Sequence, residues 1–231
     1  MNLQGKTVLI TGATDGLGKE VALLAAKAGA TVLLHGRNRV KAEPVLEAVQ
    51  RAGSAEFGDK PRAENAQGVE LHFQVNYLAP FLLTRLLLPQ IKAAAPSRIV
   101  NVASIGQAPV DFDDVQFTRG YSGMDAYRRS KLAQIMFTID LAEALKGSGV
   151  TVMSLHPGTL MNTNMVVGQG MTPQSKVEDG AEATFRLAFS PEHEGETGGY
   201  YDQFNPAQPN PQAADAEARR RLWDLSEALT A

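Results

Sequence analysis

Tyr127 and Lys131 are the residues whose types and spacing most directly suggest chemistry. Residues four apart share a helical face, and an ammonium beside a phenol favours the phenolate. The tyrosine is then expected below its usual value of about 10, as a proton donor and acceptor near neutral pH. Ser104 stands just beyond the strand-like run Arg98 to Val102, and ligands of open α/β sheets bind at the carboxyl ends of strands. Asn76 lies four residues before Pro80. Proline has no N–H to give the Asn76 carbonyl, which is therefore expected to be open to another donor, such as a water.

A glycine-rich stretch supplies a different chemistry. Thr11-Gly12-Ala13-Thr14-Asp15-Gly16-Leu17-Gly18 follows the β-favouring run Thr7 to Ile10 and precedes a helical pattern, with Val21, Leu24, Ala25 and Ala28 on one side. Such a loop lets the backbone approach a ligand closely and presents a helix N-terminus, which suits a pyrophosphate. A second buried strand, Thr31 to Leu34, completes a βαβ unit. Beyond it come His35 and Gly36, then Arg37, which suits the 2′-phosphate of NADP where an acid would suit the ribose of NAD. His35 reads as a packing or surface residue.

The remaining elements follow from periodicity. A helix with Ala42, Val45, Leu46 and Val49 runs to about Arg51, and Gly53 to Gly68 reads as loop. Leu71 to Ala95 is expected as one long helix kinked at Pro80. After Ser104 comes an irregular loop to Ser122, in which Asp111, Asp113 and Asp114 read as solvated, with no metal site. The helix bearing Tyr127 is expected to reach Lys146, followed by a strand from Val150 to Leu155, a helix from Gly180 to Phe189 and a short strand from Gly198 to Tyr201. Asn205 to Pro211 reads as a connector and Ala213 to Leu229 as an amphipathic helix, whose Arg219 to Arg221 run is expected on its solvated face.

The chain has 231 residues, 44% of them hydrophobic, with a net charge of −3 and no cysteine. It is expected to be a single domain, residues 1–231, in a cofactor-binding half (1–52), a catalytic half (69–204) and a connector with a terminal helix (205–231). The charge gives no support to nucleic acid as a partner. The missing cysteines exclude disulfides and thiol catalysis. No apolar run reaches membrane-spanning length, and the first strand begins too early for a signal peptide, so a cytoplasmic protein without membrane attachment is expected.

Taken together, these motifs resemble the short-chain dehydrogenase/reductase family, most closely its retinol-dehydrogenase-like branch. The glycine loop resembles its TGxxxGxG motif, and Pro157-Gly158 its PG turn. Asn76, Ser104, Tyr127 and Lys131 match its catalytic residues in order. The resemblance implies a Rossmann-like, doubly wound, mostly parallel sheet with helices on both faces, reduced here in strand number. It implies an oxidoreductase that interconverts an alcohol and a carbonyl compound. Tyr127 would exchange the proton, Ser104 bind the reacting oxygen, Lys131 tune Tyr127 and bind ribose, and Asn76 hold a relay water. Cofactor contacts are implied for Gly12, Thr14, Gly16, Leu17, Gly18, Arg37, Asn38, Tyr127, Lys131, Pro157, Gly158 and Thr163, with NADP(H) preferred over NAD(H). A homodimer or homotetramer through the long helices is implied as well.

In one respect the chain departs from the family. Phe57-Gly58-Asp59-Lys60 leads directly into the loop before the Asn76 helix, where the family has a strand, a helix and a central strand carrying Asn-Asn-Ala-Gly. A second reading therefore stands beside the first: a weak or inactive nucleotide-binding or partner-binding protein of the same ancestry.

Overall fold

Runs of β-branched and aliphatic residues, Thr7–Thr11 and Thr31–His35, form β1 and β2, as their strand propensity dictates. They pair in parallel, Thr7 opposite Thr31 and Thr11 opposite His35. Between them lies α1 (Gly16–Lys27), whose N-cap is Asp15, in extended backbone with its carboxylate accepting the Gly16 N–H. The computed structural model describes residues 1–35, 58 and 61–231. The expected helix to Arg51, together with Arg37 and Asn38, lies outside the described residues.

The stretch from Leu71 is continuous but changes pitch. Glu70 caps its start by accepting the Phe73 N–H at 2.8 Å. After α2 (Leu71–Phe73) the backbone widens to a π-helix over Gln74–Leu78, then returns to α3 (Ala79–Ala93). This corrects the expectation of a proline inside a kinked helix. The wide turn, in which the Ala79 N–H reaches back to the Gln74 carbonyl, places Pro80 in the first turn of α3. A missing N–H costs little there.

The next elements are β3 (Ser97–Val102), α4 (Gly123–Ala144), which starts on the Ser122 hydroxyl, and β4 (Val150–His156). Then come α5 (Asn164–Val167), α6 (Val177–Phe189), β5 (Tyr200–Asp202), β6 (Asn205–Pro206) and α7 (Ala216–Thr230). Strands β3, β4 and β5 are parallel neighbours, and β6 runs antiparallel to β5.

The chain forms two compact units, one from Met1–Ala55 and Pro157–Glu194, the other from Glu56–His156 and Gly195–Ala231. In the first, α6 packs on α1 beside the β1–β2 pair. In the second, α4 is buried along most of its length. Its Phe137 lies 5.2 Å from Phe81 and 5.8 Å from Trp223 of α7. The Tyr77 hydroxyl meets that of Ser226 at 2.7 Å. The arginine run of α7 is not wholly solvated, because Arg219 turns inward to Asp140 at 2.6 Å.

Among the described residues, β1 pairs only with β2, and β3 only with β4. Both strands are therefore edges. Leu9 is 42% and Leu33 51% exposed, so β1 and β2 are not the buried strands that their apolar sequences predict. No described helix is long and apolar enough to cross a membrane.

Candidate active site

The second unit gathers the four catalytic candidates. Ser104 sits two residues past the end of β3 and is buried. Its carbonyl accepts the Tyr200 hydroxyl at 3.0 Å and the Gln107 amide at 2.9 Å, so the serine is held from behind. Its hydroxyl is hydrogen-bonded to the Tyr127 phenol and accepts the Gly106 N–H at 3.1 Å. Asn76, in the π segment, donates through Nδ2 to the Ser130 hydroxyl at 3.0 Å. Ser130 in turn donates to the Tyr127 carbonyl at 2.6 Å. The wide turn before Pro80 thus brings Asn76 onto the helix that carries Tyr127.

Lys131 is only 5% exposed. Its ammonium lies over the Tyr127 ring, 5.6 Å from the centroid, within cation–π range. It donates to the Val102 carbonyl and to Gln134 Oε1, each at 2.9 Å. Burial disfavours the charged amine and holds it down at about 8. The expected lowering of the tyrosine is reversed. Burial pushes the Tyr127 phenol above its ordinary value, and the hydrogen bond from Ser104 only partly opposes that shift. The cause is burial of the phenol, and the ammonium is itself committed to two neutral acceptors.

Gln107, Tyr200, Ser130 and Gln134 were missed by reading the sequence for catalytic types. A signal existed for Gln134, a polar residue three positions after Lys131 in an otherwise apolar stretch.

The loop from Ile105 to Ser122 is better fixed than its composition suggests. Asp114 is buried and accepts the Thr118 N–H at 2.8 Å and the Arg119 N–H at 3.0 Å. It is a turn cap and not one of three solvated acids, and those bonds hold its carboxyl low. A cavity of about 400 Å³ is lined by Ala108, Pro109, Val110, Asp111, Asp125 and Arg129. Asp125 and Arg129 flank Tyr127 by two residues, about 200° around a helix. The cavity is therefore on another face of α4 from the phenol.

The first unit holds the glycine loop and the segment after β4. Gly12 and Gly16 have φ of 71° and 50°, values that favour glycine. A Cβ on Gly18 would stand 2.2 Å from the Gly12 carbonyl oxygen, which no real side chain can do. One on Gly16 would meet Thr163 Cγ2 at 2.9 Å. Thr163 thus closes on the loop, and its neighbour Asn164 donates to Asp15 at 2.7 Å. Thr14 lies in the same loop and Leu17 in the first turn of α1, and Pro157 and Gly158 open the segment of the same unit that carries Thr163. A cradle that only glycine can line, ahead of a helix N-terminus, fits a dinucleotide pyrophosphate.

A family model for short chain dehydrogenases matches residues 6–58 and 49–173 of this chain. Retinol dehydrogenase 13 of Mus musculus is 34% identical over 282 aligned positions, which cover 98% of this chain and 84% of the relative. Among solved structures, an uncharacterised protein of Mycobacterium paratuberculosis has a TM-score of 0.81 at 27% identity, covering 99% of this chain and 94% of that one. The 3-ketoacyl-(acyl-carrier-protein) reductase of Brucella melitensis, complexed with NADH, has a TM-score of 0.66 at 26% identity, covering 87% and 97%. The two matched stretches overlap at residues 49–58. The mouse alignment is longer than the 231 residues of the chain.

Proposed function

The chain belongs to the short-chain dehydrogenase/reductase family and is accordingly an NAD(P)-dependent oxidoreductase, and from that premise we propose that it interconverts an alcohol and a carbonyl compound with Tyr127 as general acid and base. The observation that carries the reading is the hydrogen bond between the Tyr127 phenol and Ser104, with the Lys131 ammonium against the same ring. A nicotinamide dinucleotide held by the glycine loop would supply the hydride for reduction of the carbonyl carbon. Tyr127 gives its proton to the oxygen, and Ser104 donates a hydrogen bond to that oxygen as negative charge develops there. Oxidation of the alcohol reverses both movements. Because burial favours the neutral phenol, Tyr127 carries the proton that reduction transfers.

A preference for NADP(H) rests on Arg37 following β2 in the sequence. Asn76 belongs to the same machinery through Ser130, and the glycine loop with Pro157, Gly158 and Thr163 holds the nucleotide. A small-molecule substrate and a cytoplasmic location complete the proposal.

A specific observation also favours the second reading, a nucleotide-binding protein with little or no turnover. Both β1 and β3 are unpaired on one edge among the described residues. Tyr127→Phe separates the two readings. The variant of an enzyme is expected to lose NADPH-dependent carbonyl reduction by about 10²-fold or more and keep its nucleotide affinity. A binding protein would show no turnover in either form.

A further inference from the structure

A polar stripe runs along α4, otherwise largely apolar in its buried middle: Tyr127, Lys131, Gln134 and Thr138. Steps of four, three and four residues keep these on one side of the helix. Lys131, Gln134 and Thr138 are all buried. The stripe is tied to the end of β3 at two places. Lys131 donates to the Val102 carbonyl, and Asn101 donates through Nδ2 to the Thr138 hydroxyl at 2.9 Å. Thr138 in turn donates to the Gln134 carbonyl at 2.8 Å. The backbone of Gln134 is therefore fixed from one side, and its side-chain oxygen receives the ammonium from the other.

A buried ammonium needs acceptors, and the two that Lys131 has among the described residues are both neutral. A carboxylate there would bind the charge as an ion pair and draw it from the ring. An apolar residue would leave it with the Val102 carbonyl alone. Gln134 lies between these extremes. It holds the ammonium in place without cancelling its charge, and two acceptors leave one of its three N–H donors for a third partner.

We infer that Gln134 is a positioning residue for proton transfer, its amide oxygen and the Val102 carbonyl fixing the Lys131 ammonium against the Tyr127 ring. The role of Lys131 and Tyr127 in this statement rests on the proposed oxidoreductase chemistry. The holding of Lys131 by Gln134 is measurable without turnover.

The test is a pH titration of the Lys131 side chain by NMR of the ¹³C-lysine-labelled full chain, with the resonance assigned by its loss in Lys131→Met. Gln134→Met keeps the side-chain length and removes the acceptor. It is expected to lower the Lys131 midpoint by about one pH unit or more. Gln134→Glu restores an acceptor and adds charge, and is expected to raise the midpoint above that of the wild type. Equal midpoints in the wild type and both variants would overturn the inference. If Gln134→Met fails to fold, Gln134→Glu decides alone, and an unmoved midpoint contradicts the proposal. Where turnover is found, the alkaline limb of its pH profile should move in the same direction as the NMR midpoint. Shifted midpoints without turnover would uphold the positioning and remove the catalytic reading.

Discussion

Lys131 carries its charge where a neutral group would be easier to bury. Its folded-state value of about 8 lies below the 10.5 of a free lysine. Between those values the unfolded chain binds a proton that the folded chain does not, so stability rises with pH across that window. The penalty is fully present below about 8 and is relieved towards 10.5. Lys131→Met should remove this dependence. Urea unfolding from pH 8 to 10.5 should show the wild type gaining stability relative to the variant, by on the order of 3 kcal/mol if the whole shift is realised. Parallel curves would mean that Lys131 is not buried as charged. At this scale the sequence was informative in types and wrong in direction, since the tyrosine is raised and not lowered. The spacing of Tyr127 and Lys131 placed them on one face, and that holds. The burial of the phenol, and the Val102 carbonyl and Gln134 that hold the ammonium, enter no pairwise spacing rule.

The elements show a similar division. The glycine loop was legible because close approach leaves few alternatives to glycine. Gly18→Ala would drive a methyl into the Gly12 carbonyl. The loop must then open, and the expected cost is about 1–3 kcal/mol of stability together with loss of nucleotide binding, measured by melting and by calorimetry. A variant that binds as the wild type does would remove the loop from the nucleotide site. The π segment at Gln74–Leu78 was not legible. One added residue in a turn barely disturbs a 3.6-residue pattern, and Pro80 signalled only that the Asn76 carbonyl had lost its usual partner. The exposure of β1 was misread for a third reason. Thr-Val-Leu-Ile is a strand sequence in any setting, but whether a strand is buried depends on a neighbour elsewhere in the chain.

For the molecule as a whole, the α/β arrangement and its parallel strands followed from the order of strands, loops and helices. The two family matches overlap at residues 49–58, and among the described residues β1 pairs only with β2 while β3 to β6 form a second sheet. What the sequence did not contain was which strands would pair, because strand pairing is decided by which edges meet. The result is two compact units, the glycine loop in one and Ser104, Tyr127 and Lys131 in the other. A chain that works as an NAD(P)-dependent oxidoreductase must still gain stability from its nucleotide. The most direct measurement is a thermal melt of the 231-residue chain titrated with NADPH and, separately, NADH. At a hundred times its dissociation constant, a ligand stabilises the fold by about 2.7 kcal/mol. A cooperative melt that NADPH raises more than NADH does is expected. A cooperative melt that neither nucleotide moves would contradict the oxidoreductase reading.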